Sequence, residues 1–172
     1  MNAQSATATA TLTDQDSVAY LGPQGTFTEV AMRSMASTGG ARPVPLGTVD
    51  AVLDAVRTGE VAAGVVPIEN TTEGVVNHTL DMFVDSSLLI YGEVLQEVAH
   101  HLMSKSGVAG EIKRIYSHPH AIAQCRNWLE TNLPHVPVSE VASTARAAEL
   151  SVDDPSAAAI ASELASQLYG LK

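Results

Sequence analysis

The sequence predicts an α/β protein arranged as two lobes, and three observations carry that prediction. Residues 18–21, 43–46 and 62–66 are short apolar runs, each followed by turn formers and then by residues at helical spacing, which is the order of a parallel sheet with right-handed crossovers. After Ser87 the texture changes, and residues 88–105 read as extended chain with Val94, Val98 and Leu102 near alternation. From Ile112 onward strand and helix alternate again to the last residues. These shifts divide the chain into a tail over residues 1–16, a first lobe over 17–84 and a second over 85–172.

Taken in order, the tail is Ala, Thr, Ser, Asn and Gln with hardly a large apolar residue, a composition that does not support a core. Residues 18–21 form a strand, Gly22 to Gly25 a turn, and Thr26 with Glu29 a capping box in which each side chain satisfies a backbone donor of the other. Gly39 and Gly40 end that helix. Thr48 caps a second helix whose Val49, Val52, Leu53 and Val56 face inward, and Gly59 stops it. The run AAGVV over 62–66 is too apolar for a half-exposed strand and reads as one buried on both faces in mid-sheet. Pro67 to Gly74 gathers turn formers and hydrogen-bonding side chains at that strand's carboxyl end, where open α/β sheets place ligands. A helix follows with Val76, Leu80 and Phe83 on one face.

In the second half, residues 112–116 make a strand that ends in Ser117-His118-Pro119-His120, with Pro119 suited to a first helical turn. The helix after it turns Ile122, Cys125, Leu129 and Leu133 inward. Residues 136–141 form another strand, Ser143 or Thr144 caps a helix over 145–152, residues 157–161 are a buried strand, and Ser162 caps a final helix that Gly170 follows.

With 172 residues and 45% hydrophobic content the chain has enough apolar mass for a real core. A formal charge of -10 argues against nucleic acid, because phosphate binding needs a basic surface. An anionic ligand must then be held by local donors and helix ends rather than by the field of the whole protein. The single cysteine, Cys125, excludes an internal disulfide, and no apolar run has the length of a membrane span. With no basic-then-apolar leader at the N-terminus, the expected location is the cytoplasm.

Three strand-end clusters can carry chemistry: Gly22 to Thr26, Glu69 to Thr72, and Ser117 to His120 with Gln124 further along its helix. They are rich in neutral hydrogen-bonding groups and poor in metal ligands or nucleophile–base pairs, a donor set suited to orienting an anionic organic molecule. Each has a plainer reading. Gly22 to Thr26 also fits a tight turn, and Glu69 an exposed charge that favours the next helix. His100-His101 and His118-x-His120 have no Cys or carboxylate at zinc-like spacing, so no metal is expected, and neighbouring strand histidines point to opposite faces. Cys125 on an apolar helix face is read as inert core.

Four ordered segments, YLGPQGTFTE, GVVPIENTTEGVV, SHPHAIAQCRNWL and STARAAELSVDDPSAAAIASELASQLYGL, together resemble prephenate dehydratases. The resemblance covers residues 20–171 and implies two α/β lobes with a cleft between them, similar to type II periplasmic binding proteins. It also implies conversion of prephenate to phenylpyruvate in phenylalanine biosynthesis, without metal or organic cofactor, by a homodimer. Carried over by motif, Asn70, Ser117 and Gln124 are the implied catalytic residues, with Gly22, Gln24, Gly25, Thr26, Glu69 and Thr71 as implied substrate contacts. His120 stands where the family usually has glutamine. The sequence ends at Lys172, before the family's Asn-x-Thr-Arg-Phe motif and its phenylalanine-binding ACT domain, so these residues alone are expected to turn over poorly. Two other functions fit the same residues: a two-lobed module that binds a metabolite without reacting it, and arogenate dehydratase.

Overall fold

The computed structural model describes residues 12–35, 40–72, 74–84 and 86–172. Gly39, and the tail over residues 1–11, lie outside them. The first sheet contains β1 (Ser17–Leu21), β2 (Arg42–Leu46) and β3 (Ala63–Val65) in the order β2-β1-β3, all parallel. Its helices are α1 (Phe27–Ser34) and α2 (Val49–Arg57), and Gly59 follows α2 with a φ of +76°. Tyr20 and Val18 pack with Met32 on one side of β1, while Ala19 packs with Val52 and Ala55 on the other. Leu12 reaches back onto the first of these clusters, and Thr13 and Asp16 close a hydrogen-bonded turn ahead of β1.

The mid-sheet strand is therefore β1, whose Val18, Ala19 and Tyr20 are fully buried, and the expectation for residues 62–66 is corrected: β3 lies at the edge, with Gly64 exposed. The reason its side chains are small is helix contact. A Cβ on Gly64 would lie 2.7 Å from Val52 Cγ1, so α2 sits on the strand at a distance that only glycine permits.

Beyond β3 the chain forms a small hairpin, β4 (Glu69–Asn70) against β5 (Gly74–Val75), then α3 (Asn77–Val84). Thr79 is the buried residue of α3, and its Oγ1 donates to the Pro67 carbonyl at 2.8 Å. Leu80, expected to face a core, is 39% exposed.

The second sheet has the order β6-β9-β7-β8, from β6 (His101–Ser104), β7 (Arg114–Ser117), β8 (Val138–Glu140) and β9 (Ala157–Ala161). β6 runs antiparallel to β9, and the other pairings are parallel. The helices are α4 (Pro119–Asn132), α5 (Thr144–Asp153) and α6 (Glu163–Tyr169). Every residue of β9 is buried, and its alanines let α5, with Ala147 and Ala148, approach closely. Ser143 and Ser162 cap α5 and α6 as expected, each accepting a backbone N–H three residues on. The long strand expected over residues 88–105 reduces to β6. A strand exists only where a partner supplies hydrogen bonds, and β9 reaches residues 101–104 alone. Leu89, Ile90 and Leu95 are left exposed on unpaired chain.

The two sheets meet at Gly25. Its carbonyl accepts from Ser162 Oγ at 2.7 Å, its N–H donates to Glu29 Oε2 at 2.7 Å, and its φ is +84°. A Cβ there would lie 3.2 Å from Ala165 Cβ and 3.3 Å from Ala165 Cα. Glu29 is fully buried and takes Tyr20 OH at 3.0 Å and Arg33 Nη2 at 2.6 Å besides. The capping box is accordingly half as predicted. Thr26 Oγ1 accepts the Glu29 N–H at 3.4 Å, but the Glu29 carboxylate turns to Gly25, where a buried tyrosine and an arginine complete its hydrogen bonding.

Gly25→Ala is expected to destabilise the protein by about 1–3 kcal/mol, since it adds both backbone strain and crowding against Ala165. Gly40→Ala, also at positive φ but with no atom of the described residues within 4 Å, isolates the backbone part, and denaturant unfolding of the two variants separates the contributions. Burial, then the Glu29 carboxylate, push the Tyr20 hydroxyl above the ordinary tyrosine range. The folded state thus holds that proton more tightly than the unfolded chain, so its contribution is complete below the unfolded value of about 10 and declines as pH rises above it. Unfolding measured from pH 8 to 11 should show this alkaline loss, reduced in Tyr20→Phe.

Candidate functional site

The first cluster, Gly22 to Thr26, is largely spent on its own architecture. Gly22 N–H donates to the Leu46 carbonyl at 2.8 Å, and a Cβ on Gly22 would lie 2.8 Å from Pro45 Cβ. Thr26 Oγ1 donates to the Leu21 carbonyl at 3.1 Å. Gln24 is exposed, and the Gly22–Pro23 peptide is cis. The corner thus fixes the start of α1 and leaves the Gln24 side chain in solvent.

The second cluster is the β4–β5 turn. Glu69 and Thr71 are exposed, whereas Asn70 is half-buried and its Oδ1 accepts the Thr72 N–H at 2.9 Å, the local turn bond that asparagine makes readily. Thr72 Oγ1 in turn accepts from Gln124 Nε2 at 3.2 Å. Gln124 projects from α4 of the second sheet, so this hydrogen bond joins residues 52 positions apart across the two halves. On its other side Gln124 Oε1 lies 2.7 Å from His100 Nε2. The His100 ring stands edge-on to Phe27, with centroids 5.4 Å apart and planes at 79°. Phe27 is the first residue of α1, so the line from Asn70 through Thr72, Gln124 and His100 ends beside the first cluster, next to Thr26.

Ser117 closes β7 but does not face that line. Its side chain is fully buried, and its hydroxyl donates to the Ile160 carbonyl of β9 at 2.7 Å. It fastens the β7–α4 corner from beneath. The structure therefore brings Asn70 and Gln124 together through Thr72, and turns the Ser117 hydroxyl to the Ile160 carbonyl instead. His118 caps α4, accepting the His120 N–H at 3.4 Å, and the two rings stack edge to face at 4.6 Å. Partial burial raises the pKa of the half-buried Cys125 thiol, which disfavours the reactive thiolate. Beside Gln124 lies a hollow of about 570 Å³ bordered by His100, Cys125, Trp128, Leu129 and Ile160, large enough for a small organic acid.

Sequence reading gave two members of the line no role of their own. Thr72 belongs to the polar turn but carries no motif of its own, and His100 reads only as half of a strand pair. The adjacent His100-His101 in an otherwise apolar stretch was the available signal. His100 is partly buried and His101 exposed, in keeping with opposite directions. Among the described residues, no group of three or more His, Cys, Asp or Glu is placed to hold a metal ion. Hydrogen-bonding side chains of the line are uncharged amides, a hydroxyl and an imidazole, a set able to orient an anion and to donate to a departing oxygen.

The family model described as prephenate dehydratase matches residues 18–172. A bifunctional chorismate mutase/prephenate dehydratase of Aquifex aeolicus is 47% identical over 154 residues, covering 90% of this chain and 42% of that protein. The crystal structure of a prephenate dehydratase from Arthrobacter aurescens, in complex with L-Phe, superposes with a TM-score of 0.81 at 40% identity, over 91% of this chain and 53% of that one. A structure described as a novel type of quorum quenching acylase, GqqA, matches with a TM-score of 0.79 at 30% identity, over 90% of this chain and 56% of that one. The chain thus spans about half the length of the relatives it matches. Its architecture is the two-lobed α/β fold of these enzymes, similar to type II periplasmic binding proteins. On the family model and these relatives, the chain belongs to the prephenate dehydratase family.

Proposed function

We propose that the line from Asn70 to Gln124 is one wall of a site that binds prephenate and supports its conversion to phenylpyruvate. The observation that carries this reading is the Gln124–Thr72 hydrogen bond, which joins α4 to the turn containing Asn70 and sets two amide side chains at one junction. In the reaction the bond from the ring to its carboxylate breaks and carbon dioxide leaves. Its electron pair enters the ring, and the ring hydroxyl departs with a proton as water. Aromatisation supplies the driving force, so the protein needs to hold the carboxylates and assist the departing oxygen by hydrogen bonding. Asn70 and Gln124 are assigned to the substrate, Ser117 to holding the β7–α4 corner, Gln24, Glu69 and Thr71 to the rim, and Gly22, Gly25 and Thr26, whose polar groups are already hydrogen-bonded, to holding the first corner in shape.

Residues 17–84 and 85–172 are assigned as the two lobes, with the site between them. Cytoplasmic residence and a homodimer belong to the same proposal. No helix among the described residues is long and apolar enough to cross a membrane. The 172-residue polypeptide contains no Asn-x-Thr-Arg-Phe sequence, and by itself it is assigned binding with weak turnover. The likeness to GqqA supports a second reading, an acylase. Against it, the hydroxyl of Ser117 is buried and donated to Ile160 rather than presented as a nucleophile.

Calorimetric titration with prephenate is expected to show binding, with Asn70→Ala and Gln124→Ala each weakening it about tenfold to a hundredfold, the usual cost of a lost hydrogen bond to a charged group. Absence of binding by the native chain, or unchanged affinity in both variants, overturns the site. Phenylpyruvate absorbance during the same incubation measures turnover. Rapid product formation by this polypeptide would contradict the weak-turnover assignment while leaving the site intact.

A further inference from the structure

We propose that His100 is a positioning residue that decides which end of the Gln124 side-chain amide faces the substrate cleft. The proposal rests on the assignment of Gln124 to the substrate, but its central claim concerns the protein alone. A glutamine amide ends in an acceptor oxygen and a donor NH2 of nearly equal size, so only its partners fix its orientation. Gln124 has two partners here, Thr72 Oγ1 at 3.2 Å and His100 Nε2 at 2.7 Å. A hydroxyl donates or accepts equally well and cannot decide. The imidazole can.

His100 Nδ1 is buried and has no hydrogen-bond partner among the described residues, while Phe27 packs against the ring. If Nδ1 carried the proton, a buried N–H would be left with neither water nor acceptor, an arrangement that folded proteins almost never tolerate. If Nε2 carries it, only a lone pair is orphaned, which costs less. The dry side of the ring thus selects the Nε2–H tautomer, and Nε2–H requires Gln124 Oε1 opposite it. The NH2 end is thereby turned toward Thr72 and the turn that holds Asn70. For an anionic substrate the consequence is direct: the cleft receives a donor, whereas the flipped amide would present a carbonyl oxygen that repels a carboxylate.

Long-range proton–nitrogen correlation on the 15N-labelled 172-residue protein, without any ligand, reads the tautomer directly. Nδ1 is expected as the unprotonated nitrogen, and a protonated Nδ1 overturns the proposal whatever the protein binds. Prephenate titration supplies the second arm. His100→Phe is expected to weaken binding about tenfold, His100→Gln, which restores a side-chain donor, to recover part of it, and Gln124→Ala added to His100→Phe to cost little more. Fully additive losses in the double variant would mean that His100 does not act through Gln124. Should the native chain take up no prephenate, the proposed function fails, and the tautomer measurement still decides the positioning role.

Discussion

The arrangement of this protein depends on how closely the backbone at Gly25 approaches α6. One residue without a side chain gives its carbonyl to Ser162 and its N–H to Glu29, with Ala165 so near that an added Cβ would crowd it. Ser162 simultaneously caps α6, so the same hydroxyl that starts the last helix ties it to the first. Glu29 is the complement from the other side. A carboxylate buried to this degree is tolerable only when its oxygens are occupied, and Tyr20, Gly25 and Arg33 occupy them. The start of α1 is therefore clamped in a single orientation, and Phe27 with it.

From that clamp the candidate site follows. Phe27 backs His100, His100 meets Gln124, and Gln124 reaches Thr72 beside Asn70. Each contact is modest by itself, about 1 kcal/mol for a neutral hydrogen bond, yet they run from one sheet to the other and share members. Positions of the two amides are thus set by packing well beyond the amides themselves, which is how a cluster of flexible neutral side chains acquires definite geometry.

The protein's acidity shapes what that site must do. With a formal charge of -10, the overall field repels anions, and the Arg33 guanidinium is engaged by Glu29. An anion could be held only by short-range donors in a partly desolvated hollow, where hydrogen bonds to anions strengthen. Orientation of each donor then matters more than total charge. An amide presented the wrong way round is not a weaker contact but a repulsive one.

Local signals determined a large part of this protein. Helix starts at Thr26, Thr48, Ser143 and Ser162, the alternation of strand and helix, and the polar corners at strand ends are all written in short-range chemistry, because a cap or a turn is decided by residues within four positions. Burial and pairing were decided elsewhere. The run over 62–66 looked like a central strand because it is small and apolar, yet those residues are small so that α2 can sit on an edge. Residues 88–100 alternate like a strand, but only 101–104 meets β9. The Glu29 carboxylate took Gly25 instead of Thr26 because Tyr20 and Arg33 stand beside it, and Ser117 turned inward because the Ile160 carbonyl lies across the sheet. Pairing of Gln124 with His100 and Thr72 has no sequence signature at all, since it joins positions 24 and 52 residues away. Chain-local chemistry placed the corners, and only the packing of one sheet against the other could choose which side chains meet there.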